Sequence, residues 1–258
     1  MENQTELLDD KNDETILKTV NRAMFEDVHD FLEENFFPCA PISKCLGMSQ
    51  SKYFWNWAWV ETLLMEEEAL AAVDEEDNIL GVIIGKHSVL LDMTTFEWIV
   101  DFFFGGGWEE FLGGFIWKLC WIFNWILPEY YGEHTHGIFS KLFDRLGFNE
   151  NMVMSSLGCE KLYTVAVLCV RVGDRRRGVG SKLVREGEKR AKKRSCDCSA
   201  VIVSNLYSER IFRKLNYSMV REVSYDQFRD KKGQRYFKDT GEHQMITFLV
   251  KTLGKEKV

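Results

Sequence analysis

The strongest constraint on the fold is one short segment. Residues 162–170 read LYTVAVLCV, an uncharged run rich in β-branched side chains. Such a run, flanked by polar residues, predicts a strand covered on both faces. It leads directly into Arg171-Val172-Gly173-Asp174-Arg175-Arg176-Arg177-Gly178-Val179-Gly180. Val179, Leu183, Val184, Gly187 and Ala191 then recur at helical spacing, with Lys182, Arg185, Lys189 and Lys193 on the opposite face. Residues 200–203 read as a second buried strand. A helix over 207–215 follows, with Ile211 and Leu215 inward, and then strands at 219–225 and 245–250. Strand, glycine loop, helix, strand is an α/β unit, and the whole reads as α/β (α+β).

The N-terminal half is less regular. Residues 1–15 form a polar tail, and 16–258 are expected to be a single domain. Ile16, Val20, Met24, Val28, Phe31 and Leu32 predict a helix from 15 to 37, stopped by Pro38 and Pro41. Strands are expected at 69–73 and 80–84, joined by the polar turn 74–78. Residues 90–151 are aromatic and read as helical, interrupted by glycines at 105–107 and 113–114. The most apolar stretch, 111–127, is short for a span of about 20 residues, and Lys118 and Asn124 break it. It reads as a buried helix or a pocket wall. Contact with a membrane surface is the lesser alternative, and a transmembrane segment the least.

A net charge of −7 excludes a surface built throughout to coat nucleic acid. The charge is uneven, with an acidic start and a cluster of Arg and Lys over 171–194 that predicts an anionic ligand at one place. The seven cysteines (Cys39, Cys45, Cys120, Cys159, Cys169, Cys196 and Cys198) show no recurring spacing, so no disulfide framework is expected. Cys196 and Cys198 have no second Cys or His pair nearby, and no metal is expected. The acidic, polar N-terminus predicts no leader peptide and a cytoplasmic location.

Three phosphate-binding patterns compete for residues 173–182. A Walker loop places lysine where Val179 stands, and a dinucleotide fingerprint needs glycine where Leu183 stands. The pattern [Arg/Gln]-x-x-Gly-x-[Gly/Ala] between a strand and a helix is met by Arg175, Gly178 and Gly180. Here the sequence resembles the GNAT acetyltransferase superfamily. The resemblance implies a central mixed sheet flanked by helices, with splayed strands holding acetyl-CoA and a coenzyme-binding core at about 160–220. It puts the pyrophosphate on Arg175, Arg176, Arg177, Gly178, Val179, Gly180 and Ser181, and the pantetheine on main-chain groups of Leu168, Cys169 and Val170. Asn205 is assigned to the coenzyme as well. The physics agrees: a helix N-terminus offers open N–H groups and the positive end of its dipole.

More of the chain is similar to the insect-type arylalkylamine N-acetyltransferases. The segments that carry this are Asn35–Ile42 with Cys45-Leu46-Gly47, Ala71–Asp74, Leu80–Ile83, Leu168–Val170, Val203–Arg210, Lys214–Tyr217 and Asp239–His243. The family's carboxylate base precedes a proline, where this chain has Ala40, and Cys39 stands in place of the family's Asp. Glu34 is the substitute assigned here, acting through water, with Glu33 beside it. Ser204 and Ser208 match two family serines that handle protons. The tyrosine acid of other GNAT enzymes falls at Phe212, near Tyr207. His134 and His136 lie in an aromatic loop, and His29, His87 and His243 show no partners in the sequence.

The expectation is an acyl-CoA-dependent N-acetyltransferase, with acetyl-CoA as co-substrate and a small primary amine, arylalkyl by preference, as acceptor. The alternatives are a polyamine or protein N-acetyltransferase, or a coenzyme A-binding protein with impaired catalysis, given Ala40. The chain is expected to be a monomer with no nucleic-acid partner, because Lys182–Arg194 lacks the interleaved aromatics that stack bases.

Overall fold

The computed structural model describes residues 15–45, 64, 69–89, 145–146, 150–229 and 232–254. The aromatic region 96–131, the apolar stretch 111–127, His134 and His136 lie outside them. Seven strands form one sheet: β1 (Ile16–Thr19), β2 (Ala69–Val73), β3 (Ile79–Val89), β4 (Lys161–Val170), β5 (Cys198–Val203), β6 (Ser218–Ser224) and β7 (Met245–Thr252). Their order is β1-β2-β3-β4-β5-β7-β6. Only β4 and β5 run parallel. Their connection carries the helix α4 (Val179–Lys193), as a parallel pair requires. Further helices among the described residues are α1 (Phe25–Asn35), α2 (Pro41–Cys45), α3 (Glu150–Leu157) and α5 (Leu206–Lys214).

One expectation is corrected at the N-terminus. The helix predicted from residue 15 starts at Phe25, and Ile16–Thr19 are an edge strand paired antiparallel with Leu70–Val73. Sheet pairing overrides the helical spacing of Ile16 and Val20. Asn21 makes the switch, accepting the Ala23 N–H at 3.0 Å to cap a short 3-10 turn ahead of α1. Glu26 and Asp27 in the first turn of α1 suit its dipole. The polar turn at 74–78 is present, with the Asp74 carboxylate accepting the Asn78 N–H at 2.8 Å.

The predicted strand of residues 162–170 is β4, but its two faces do not alternate through its length. Tyr163 and Val165 pack with α4 and α5, alongside Leu183, Val184 and Phe212. Val167 and Cys169 pack on the other face with Val28, Phe31 and Leu32 of α1. The cause is a bulge. Ile84 pairs with Val167 and Gly85 with Val165, so Ala166 has no partner on β3. One extra residue inverts every side chain beyond it. Ala166 itself is exposed, in the middle of a central strand. The pairing of β4 with β5 also stops here, the last matched pair being Val165 with Val201. Beyond it the two strands are no longer paired.

Three clusters fill the core. The α4/α5 layer covers one face and the α1 layer the other, while α2, α3 and the ends of β5, β6 and β7 surround Leu146, Met154, Phe237 and Phe248. Deleting Ala166 would restore simple alternation and turn Val167 and Cys169 toward the wrong layer. The deletion is expected to abolish cooperative thermal unfolding, whereas Ala166→Ser should stay within about 0.5 kcal/mol of the parent. A deletion variant that melts like the parent would remove this role for the bulge.

Candidate active site

The loss of pairing beyond Val165 and Val201 opens the ladder at the C-terminal ends of β4 and β5, a candidate cleft. Leu168 and Val170 are half-buried on the α4/α5 side of it, and Cys169 is buried against α1, its thiol pushed up to about 12 by burial. Past Val165, the β5-facing backbone of β4 has no strand to pair with. Such a row of open main-chain groups is what an extended, amide-bearing ligand can use.

The loop after β4 ends at an open helix start. Gly178 is the N-cap of α4, in the left-handed conformation (φ +85°), and no side chain caps this end. The first intrahelical bond is Lys182 N–H to the Gly178 carbonyl at 3.0 Å. The N–H groups of Val179, Gly180 and Ser181 therefore remain for a ligand. Gly180 serves packing, since a Cβ there would lie 3.0 Å from the Ile211 side chain of α5. That contact sets α5 against the first turn of α4.

The arginines divide by role. Asp174 is buried, and its two carboxylate oxygens accept from Arg171 Nε at 2.5 Å and Arg177 Nη1 at 2.7 Å. A buried carboxylate needs such partners. Arg175 turns its Nε toward the Val170 carbonyl at 3.3 Å, while Arg176 is exposed with φ +68°. Arg177 is thus committed to shaping the loop, and Arg175 joins the loop to the strand that lines the cleft. The Arg171-x-x-Asp174-x-x-Arg177 spacing was the available signal for this clamp.

The opposite wall is the start of α5, and this helix end is closed. Asn205 is its N-cap, with Oδ1 accepting the Ser208 N–H at 2.8 Å. Asn205 is thereby the helix cap that a serine after the strand would otherwise supply. The Leu206 N–H donates to His243 Nδ1 at 3.2 Å. Ser204 and Ser208 are half-buried on either side of this cap, and the Ser204 carbonyl accepts the Tyr225 hydroxyl at 2.6 Å. Tyr207 is exposed, donates its hydroxyl to Glu242, and sets its ring edge-to-face on His243 at 5.7 Å. The Glu242 carboxylate raises the Tyr207 phenol, and burial holds His243 below the ordinary histidine range.

The turn after α1 approaches β4, since Cys39 acts electrostatically on the buried Cys169 thiol. Glu34 is on the exposed face of α1, and Glu33 is 3.7 Å from His29 Nε2. Ala40 is buried at the turn between α1 and α2, and Phe212 is wholly buried with its ring against Tyr217 at 5.0 Å. His87 Nδ1 meets the Cys196 sulfur at 3.1 Å, away from the loop. Cys39, Cys45, Cys159, Cys169, Cys196 and Cys198 are reduced thiols. Among the described residues no group of three ligating side chains could hold a metal, and no helix is long and apolar enough to cross a membrane. His29, His87 and His243, read from sequence as partnerless, therefore have partners: Asp30 and Glu33, Cys196, and the Leu206 N–H.

Loss of the Asp174 clamp should loosen the loop. Asp174→Asn is expected to speed tryptic cleavage after Arg175, Arg176 and Arg177, measured on the folded protein without ligand. A parental cleavage rate would mean that the two arginines are not needed to hold the loop.

Residues 146–217 match the model of the Acetyltransferase (GNAT) family. Comparison with curated protein sequences gives no match. Among solved structures, arylalkylamine N-acetyltransferase 2 from Aedes aegypti aligns with a TM-score of 0.68 at 16% identity, covering 94% of this chain and 100% of that one. A mosquito arylalkylamine N-acetyltransferase like 5b gives 0.63 at 18% identity, over 92% and 99% of the two chains. Polyamine N-acetyltransferase from Drosophila melanogaster, described as forming N-acetylagmatine, gives 0.61 at 17% identity, again over 92% and 99%. The architecture is the GNAT fold.

Proposed function

We propose that this chain, which carries a GNAT acetyltransferase domain, transfers an acetyl group from acetyl-CoA to a small primary amine, an arylalkylamine by preference. The observation that carries the reading is a coincidence at one end of the sheet. The unpaired backbone of β4 and the open N-terminus of α4 lie on either side of the same loop. Similar folds bear the names of arylalkylamine, agmatine and polyamine N-acetyltransferases, which supports an amine acceptor.

In this reading the N–H groups of Val179, Gly180 and Ser181, with Arg175 and Arg176, hold the coenzyme phosphates. The main chain of Leu168–Val170 holds the pantetheine arm. The neutral amine attacks the thioester carbonyl carbon directly; the C–N bond forms, the C–S bond breaks, and the thiolate leaves with a proton from the site. Ser204 and Ser208 handle that proton, and Glu34 takes the amine proton through water. The protein acts as a monomer in the cytoplasm, without nucleic acid or metal. A second reading, a coenzyme A-binding protein with impaired catalysis, is favoured by Ala40 and Phe212. Neither carries a proton, and both are buried.

Titration with acetyl-CoA, followed by coenzyme A release against aryl amines, polyamines and peptides, separates the readings. Binding with turnover of an amine supports the enzyme; binding without any turnover supports the second reading; no binding removes both. Gly178→Glu is expected to abolish acetyl-CoA binding while the chain still folds, because a Cβ at this position meets nothing within 4 Å. The left-handed backbone adds only about 1–2 kcal/mol of strain.

The rate should also report the missing base. A primary alkylamine, with a pKa of roughly 10.4 by analogy with lysine, stays protonated at neutral pH, so turnover should climb with pH without a plateau near 7. Ala40→Glu is expected to raise the neutral rate and flatten the profile, since a positioned base contributes typically ~10²–10⁴-fold. A plateau near pH 7 in the parent would show that another base exists, and Glu34→Gln should then remove it.

A further inference from the structure

His243 is the unexpected member of the site. It lies in the loop before β7, a segment pinned by its own hydrogen bonds. The His243 N–H donates to the Thr240 carbonyl at 3.1 Å, Gln244 Nε2 to the Gly241 carbonyl at 2.7 Å, and the Tyr225 N–H to the Gln244 carbonyl at 3.1 Å. Asp239 and Gly241 take left-handed conformations, φ +59° and +60°, to make the turn. Further on, Thr247 of β7 pairs with Val203 at the end of β5, so the loop lies beside the exit of the strand that bounds the cleft.

The hydrogen bond from Leu206 fixes the chemistry of the ring. A backbone N–H only donates, so Nδ1 must be the acceptor, and in the neutral ring the proton is on Nε2. The lone pair that could accept a proton is therefore occupied. His243 in this position is no general base. Its effect is mechanical: it takes the first N–H of α5, as Asn205 takes the third.

We infer that His243 is a positioning residue, whose neutral Nδ1 anchors the start of α5 and so holds Ser204 and Ser208 at the cleft. Protonation removes the acceptor and sets a cation at the positive end of the helix dipole, so the anchor turns into a repulsion. Burial disfavours the imidazolium, Glu242 on the same loop favours it and is itself engaged by the Tyr207 hydroxyl, and the Tyr207 ring packs against the imidazole from α5. The catalytic consequence rests on the N-acetyltransferase reading; the anchoring of α5 does not.

The pH dependence has a definite sign. A folded-state value held below the ordinary 6.5 means that the unfolded chain takes up the proton first. The stabilisation is present in full above the unfolded value and is lost as the pH falls toward the folded one.

The test uses the intact chain and compares His243→Ala with His243→Asn, whose side-chain carbonyl can accept from Leu206 without titrating. Thermal melting and acetyl-CoA titration between pH 5 and 8 are read together with amine turnover. The parent should lose melting temperature and kcat below about pH 6.5. His243→Ala should lower kcat by about 10²-fold if the serines shift by about 1 Å, without the parent's added loss below about pH 6.5 and with its acetyl-CoA affinity kept. His243→Asn should recover most of kcat and remove that added loss, leaving the slope set by the amine. Parental melting and kcat in His243→Ala would overturn the proposal, as would the parent's added loss persisting in His243→Asn. If no amine is turned over by any variant, the enzyme reading fails, and the melting profiles alone decide whether His243 anchors α5.

Discussion

One unpaired residue sets the geometry on which the rest depends. The Ala166 bulge, on the β3 side of β4, coincides with the end of the parallel pairing between β4 and β5 on the other side. With it, pairing ends at Val165 and Val201, and Val167 and Cys169 turn toward α1. A sheet interior is normally the place where backbone groups are most completely satisfied. Here half a central strand is left open on one side, and its side chains still bury on both faces. The fold thus stays cohesive through side-chain packing while giving up backbone pairing, which is what a binding cleft inside a sheet requires.

The two helix starts at the mouth of this cleft are built in opposite ways. The first turn of α5 is filled by Asn205 and His243, whereas α4 begins at a glycine with no side chain that could cap it. An anion is attracted to whichever terminus keeps its N–H groups open. The basic residues around α4 add to that choice. Lys182 and Arg190, however, reach back to the Thr15 carbonyl at 2.8 Å and the Thr19 hydroxyl at 2.7 Å. They tie β1 to the helix, so the attraction of an anion falls to the loop arginines. Asp174 then sorts these, holding two and leaving Arg176 exposed.

The sequence made the β4–loop–α4–β5 unit legible because each part has a local signature: a continuous apolar run, a glycine at a turn, an amphipathic stripe. All five apolar positions expected on the inner face of α4 are buried there. What remained hidden was non-local. Ile16–Thr19 looked helical because nothing in four residues reveals a strand partner more than fifty residues away. The phase change in β4 is invisible when both faces are apolar, since an alternation carries no information once every position is hydrophobic. His243 had no legible partner because its partner is a backbone N–H, which every residue but proline offers. Asp174, by contrast, was readable from its arginines at i−3 and i+3. The exposed position of Glu34 and the burial of Ala40 depend on how α1 packs, which its own sequence does not settle.

The chemistry left to such a site follows from what its protons can do. A general base must reach the proton it takes, directly or through one water, and Glu34 is on the exposed face of α1. The imidazole of His243 has its lone pair committed, Phe212 has none, and Tyr207 is bound to a carboxylate that makes it a poorer acid. What the cleft does supply is orientation. Aligned reactants can reach effective molarities of about 10⁵–10⁸ M, and a thioester is already an activated acyl donor. A cleft that fixes both partners therefore needs little proton transfer from its side chains, provided that the amine enters neutral. Under the proposed N-acetyltransferase reading, the strand bulge and the anchored α5 orient the two reactants, and turnover depends on the rigidity of those two elements.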